Sequence, residues 1–138
     1  MHWHSYILLS NLATQLEAKL KPIVITRNGG IKSTAFTDVN KKVITLDISQ
    51  PPLKSALSYA YELKNLEQAG QYRAINENAK NRRISKSEYV RSIIELEAEA
   101  IYFRCQVFRD IEVYAKNPPF QKIYLDIYEA TQSMPKEE

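Results

Sequence analysis

Trp3, Ile7, Leu8, Leu12, Leu16 and Leu20 recur at steps of three and four, which puts them on one side of a first helix ending before Pro22. The pattern then changes period. Ile23 to Thr26 is apolar and β-branched, and Asn28-Gly29-Gly30 offers residues that tolerate positive φ, the usual signal for a tight hairpin. Ile31 to Thr37 reads as the returning strand. A polar turn from Asp38 to Lys42 leads into Val43-Ile44-Thr45-Leu46-Asp47-Ile48, whose alternation predicts a third strand. Three consecutive strands with short turns predict an antiparallel meander.

Pro51 and Pro52 suit the first turn of a second helix, where an amide hydrogen has no partner anyway. That helix is expected to run to about Ala69, with Gly70 stopping it. Gln71 to Arg83 has little periodicity and many polar residues, and reads as a long loop with one helical turn. Ser85 followed by Glu88 matches a capping box, so a third, long helix is predicted to start there. Val90, Ile93, Ile94, Glu97, Ile101, Cys105, Phe108 and Ile111 continue one stripe to about Tyr114, and Asn117-Pro118-Pro119 ends it. A last helix is expected over Phe120 to Ser133, with Met134 to Glu138 frayed. The expected fold class is therefore α+β: four main helices and a small three-stranded antiparallel sheet.

Composition changes this picture little. With 138 residues, 44% hydrophobic and 25% charged, the chain reads as one globular domain over residues 1–138 that needs neither disulfide nor metal to fold. Its apolar runs are far shorter than the roughly 18 residues that suggest a membrane span. No Lys or Arg precedes the first apolar run, so the start does not read as a secretory signal peptide. The expectation is a cytoplasmic protein, or one exported without a cleavable signal. A single Cys105 excludes an internal disulfide, suits a reducing compartment, and reads as a packed, inert thiol on the core stripe. The net charge of +3 is uneven: Gln71 to Arg91 holds six basic and two acidic residues, leaving −1 for the remainder.

Some positions stand out chemically. Glu97 falls on the apolar stripe of the third helix, so a carboxylate is expected to face the core and to need a partner. The second helix carries Tyr59, Tyr61, Glu62, Lys64 and Asn65 within an apolar run, and Glu62 taken alone reads as a helix-surface acid. His2 and His4 stand two apart and read as incidental. Of the nine tyrosines, seven (Tyr59, Tyr61, Tyr89, Tyr102, Tyr114, Tyr124 and Tyr128) fall on predicted helices and read as core-edge residues with hydroxyls in water.

The stretch from Val43-Ile44-Thr45-Leu46-Asp47 through Pro51 to Tyr61-Glu62-Leu63-Lys64-Asn65 resembles small zincin metallopeptidases, which place a strand, a short loop and a helix bearing H-E-L-x-H. In that motif two His one turn apart grip a zinc ion and the Glu activates its water. Here Tyr61 and Asn65 stand at the ligand positions and Glu62 at the position of the base. Glu97-Ala98-Glu99-Ala100 is similar to the later helix that supplies a third ligand in compact zincins of bacterial toxin and effector type. The resemblance covers about residues 23–114. It implies a zincin-like fold emptied of metal, without cofactor, in which Tyr61, Asn65 and Glu97 form a polar cluster. The function it implies is a non-catalytic protein-binding module of bacterial effector, accessory or immunity type. Two alternatives stand beside it. One is a carboxylate-dependent metallohydrolase or peptidase using Glu62 with Glu97 or Glu99. The other is nucleic-acid binding through the basic 71–91 loop, with Arg73, Arg82 and Arg83 as phosphate donors.

Overall fold

A computed structural model describes residues 2–21, 23–28, 35–38, 40–47 and 49–116. In chain order these form α1 (Trp3–Ile7), α2 (Asn11–Leu20), β1 (Val24–Asn28), β2 (Ala35–Asp38), β3 (Val43–Asp47), α3 (Pro52–Glu67), α4 (Ala69–Lys80) and α5 (Lys86–Lys116). Helix dominates. The expected last helix over 120–133, the frayed end, and positions 29–34 and 48 lie outside the described residues.

The expected four helices and antiparallel meander are corrected in three places. The first helix is broken at Leu8-Leu9-Ser10, because Ser10 turns extended and its Oγ accepts from the Ala13 amide at 3.3 Å, capping a new helix. The polar stretch after Gly70 is not a loop but α4, and Gly70 lies inside it. The chain changes direction at Gln68, whose side chain donates to the Leu96 carbonyl of α5 at 3.0 Å. The sheet has the order β1-β3-β2. β1 runs parallel to β3, with Val24 opposite Val43, and only the β2–β3 pair is antiparallel, with Asp38 opposite Val43. β1 and β2 are therefore not a hairpin. Six residues separate them, enough chain to pass the end of β3 and pair on its other edge, whereas a two-residue turn would have forced them together.

Other expectations coincide with the structure. Pro52 is the first residue of α3. Before α5, the Ser85 amide donates to Glu88 Oε1 at 3.2 Å and the Glu88 amide to Ser85 Oγ at 3.1 Å, the reciprocal arrangement of a capping box. β3 is buried on both faces from Ile44 to Asp47, as a central strand should be. Asp47 then fastens β3 to α3: its carboxylate accepts from the Ser49 amide and hydroxyl and from Gln50 Nε2, and its carbonyl from Ser55 Oγ.

The core gathers around α3. Ala56, Tyr59, Ala60, Leu63 and Leu66 form its buried stripe, packed against Trp3, Ile7 and Leu9, against Ala13 and Leu16, and against Ile44 and Leu46 of the sheet. α5 closes the other side with Phe103, Val107 and Ile111, and its buried line begins at Leu96 and Ala100. This stripe is offset from the expected one. Val90, Ile94, Glu97, Ile101 and Cys105 face solvent. The choice between the two stripes follows from packing. Ala56, Ala60 and Ala100 are all fully buried, and small side chains let two helix axes approach, which Ile94 and Ile101 would not.

Candidate functional site

The residues singled out by the sequence meet in part where α3 leans on β2. Glu62, expected at the surface, is buried: Thr37 of β2 donates its hydroxyl to Oε2 at 3.0 Å, and Asn65, one turn along α3, donates Nδ2 to Oε1 at 3.2 Å. Tyr72 of α4 donates to Asn65 Oδ1 at 3.4 Å. Burial pushes the Glu62 carboxyl above the usual range, and the two hydrogen bonds only partly offset it. Burial also raises the Tyr72 phenol, helped by Tyr61, Glu97 and Glu62, each of which lies within electrostatic reach of Tyr72. Tyr61 is half-buried beneath the Arg104 guanidinium, 5.3 Å from its ring centre.

Glu97 does not face the core. It stands exposed at the rim, because α5 is rotated to bury Leu96 and Ala100 instead. Glu99 lies on a different side of α5, lining a cleft away from Glu62, so those two carboxylates do not converge. Thr37, Tyr72 and Arg104 complete the cluster and were missed. Thr37 carried no signal beyond its place at the end of the expected returning strand, and a helix over 71–80 would have been needed to find Tyr72. Among the described residues no three His, Cys, Asp or Glu side chains gather closely enough to hold a metal ion. With 6% of Glu62 exposed and both its oxygens engaged by the protein, the carboxyl acts as a tie between sheet and helix.

A second polar cluster went unread. His4 Nε2 lies 2.9 and 3.2 Å from the two oxygens of Glu17, which also accepts from the buried Tyr59 hydroxyl. Burial by itself would raise the Glu17 carboxyl. The hydrogen bond and charge of His4, the Tyr59 hydroxyl and the charge of Lys21 outweigh it and hold the group below the usual range. His4 is therefore not incidental, and Tyr59 keeps its hydroxyl out of water. Trp3 packs its ring 4.8 Å from that of Tyr59.

Two surface depressions accompany these clusters. An open cleft of about 960 Å³ is lined by Lys19, Lys64, Glu67, Glu95 and Glu99 among others. Its cations are already paired, Lys19 with Glu67 at 2.9 Å and Lys64 with Glu67 at 2.6 Å. The expected basic loop is divided. Arg73 lies on α4, in a shallow groove with Asn76, Glu77, Lys80 and Asn81. Arg82 and Arg83 sit in the turn beyond, where Arg82 adopts φ 57°. Glu77 and Lys80 of α4 lie between Arg73 and this pair in the sequence and line the same groove as Arg73.

The outward side of α5 leaves several large apolar side chains unburied. Val90 is 44% exposed, Ile94 57%, Ile101 45% and Tyr102 62%, with Cys105 also exposed on the same side. Among the described residues no helix is long and apolar enough to cross a membrane. The chain matches no protein-family model, no curated protein and no solved structure.

Proposed function

We propose that this domain is a protein-binding module whose contact surface is the outward side of α5. The observation that carries this reading is the run of aliphatic residues there, Val90, Ile94 and Ile101, each about half exposed on a helix whose opposite side already supplies a full core stripe. A surface helix ordinarily alternates one apolar and one polar side. Covering half of an isoleucine stabilises a contact by about 1 kcal/mol, so a row of them favours association strongly enough to be measured. The geometry of Glu62 supports a structural use of that acid better than a catalytic one, since Thr37 and Asn65 take up its oxygens.

A photoreactive amino acid placed at position 94 or 101 in the native cell tests the reading. Adducts that gain the mass of a polypeptide at those positions, and none from position 77 on the exposed side of α4, are expected. Equal yields from all three positions, or no adducts, would overturn it.

A further inference from the structure

We infer that the turn joining α4 to α5 is a contact surface for the phosphate backbone of a nucleic acid. The observations behind it are separate from the apolar side of α5, so either reading can fail alone. α4 and the start of α5 form an antiparallel arm: Gln68 reaches the Leu96 carbonyl at its base, and the Tyr89 hydroxyl donates to Asn76 Oδ1 at 3.1 Å farther out. Only Ala69 of α4 is buried, and the buried line of α5 begins at Leu96. Lys86 therefore stands about 15 Å beyond the start of that line, measured along the helix.

Lys80, Arg82, Arg83 and Lys86 fall close together at the end of this arm, with no acid among residues 80–86. All four are exposed, and among the described residues none of their side chains makes an ion pair or a hydrogen bond. Lys19 and Lys64, by contrast, hold Glu67. The first acid after the turn, Glu88, already accepts from the Ser85 amide.

Two of the four cations stand where the local backbone favours something else. The Arg82 amide donates to the Ala79 carbonyl at 3.1 Å and the Arg83 amide to the Asn78 carbonyl at 2.8 Å, the paired bonds of a Schellman ending. Arg82 holds the left-handed position of that motif, with φ 57°, where glycine is the residue without a steric penalty. Lys86 opens α5, at the end of a helix where an acid is stabilising and a cation is not. Lys80 and Arg83 suit the end of α4, so Arg82 and Lys86 carry the argument. Positive charge stands there at a cost to the fold, as it does where it serves a contact.

A planar guanidinium meets a phosphate through two parallel N–H bonds, and two arginines flanked by lysines repeat that chemistry over a short span. Ile84, the one aliphatic side chain of the turn, is half-buried, so the tip lacks the exposed apolar anchor that holds a protein on a lipid surface. Two helices side by side, each about 10 Å across, exceed the roughly 12 Å width of the DNA major groove. The arm therefore meets phosphates and not base edges, and binding without sequence preference is expected.

Fluorescence anisotropy of a labelled DNA duplex of about 20 base pairs, and of the RNA duplex of the same sequence, titrated with the full chain, is the test. Binding on the order of micromolar is expected at about 50 mM salt, with a log–log salt slope of about −3.6 on DNA for four phosphates, so that affinity falls about 100-fold by about 200 mM. Arg82→Gly should weaken binding about tenfold at the lower salt and make the slope shallower by about 0.9. The same variant should raise the urea midpoint, because glycine relieves the left-handed position, and this separates a lost contact from lost folding. Lys86→Glu should move both readouts in the same directions. Lys41→Ala, which removes an exposed cation of the β2–β3 turn, should leave binding within about twofold of wild type. No saturable binding to either duplex up to about 100 μM, a slope that neither Arg82→Gly nor Lys86→Glu alters, or an equal loss in Lys41→Ala overturns the proposal. Tighter binding to phosphatidylserine vesicles than to both duplexes at the same salt overturns it too.

Discussion

His4, Glu17 and Tyr59 join three separate segments around one carboxylate, and the cost of burying that charge is offset by the two groups that donate to it. Glu17 is held below its ordinary value, so its contribution to stability is present above the unfolded carboxylate pKa and is lost as pH falls through the folded one. Acid titration of the unfolding midpoint should show a smaller loss in Glu17→Gln than in wild type. At neutral pH, Tyr59→Phe should cost about 1.5–3 kcal/mol in urea unfolding, as for other hydrogen bonds to charged groups. Glu62 has the opposite sign. Its folded pKa is raised by burial, so the native state loses stability as pH rises from the unfolded value through the folded one. Glu62→Gln, whose amide can still accept from Thr37, should therefore flatten stability in that interval, and a steeper dependence than wild type would contradict the burial argument. The Glu62 cluster was legible in part, through Glu62 and Asn65 on one helix, whereas the Glu17 cluster was not. Glu17 looked like any surface acid of an amphipathic helix, and only a break at Ser10 that turns α2 against α3 brings it to Tyr59.

Among the elements, local signals survived where they depend on neighbours in sequence. The Ser85–Glu88 box, Pro52 at the start of α3 and β3 itself are all fixed by chemistry within four or five residues. Signals that depend on what lies across the fold did not. α5 carries two apolar stripes, and periodicity alone cannot rank them; alanines on the facing helices decide which one is buried. The strand order was hidden for the same reason, since the hairpin signal at Asn28 says nothing of a third strand that separates β1 from β2. Gly70 illustrates a weak local signal overruled by context. An added Cβ there would have only Arg73 Nη2 nearby, at 4.0 Å, and the backbone is not left-handed. Gly70→Ala should raise stability by about 0.5–1 kcal/mol, read as a higher urea midpoint with unchanged slope. Ser10→Ala should do the reverse, by about 1–2 kcal/mol, because Ser10 both caps α2 and donates to Asp110 of α5 at 2.8 Å.

For the molecule as a whole, α3 is the axis on which the rest is assembled. α1, α2, the sheet and α5 all pack on it, whereas α4 buries only Ala69 of its own residues. Amide hydrogen exchange should therefore place the α3 amides among the slowest, near the free energy of global unfolding, and those of α4 several kcal/mol lower. Equal protection of the two helices would mean that α4 is held by contacts other than those along its first turn.

Trp3 lies within this arrangement as the single tryptophan of the chain, 6% exposed and set against Tyr59. Its emission is consequently an internal gauge. Excitation of the indole reports the docking of the first helix on α3 without any label, and a red shift that precedes the loss of helical signal would reveal the amino terminus lifting away while the remainder stays assembled.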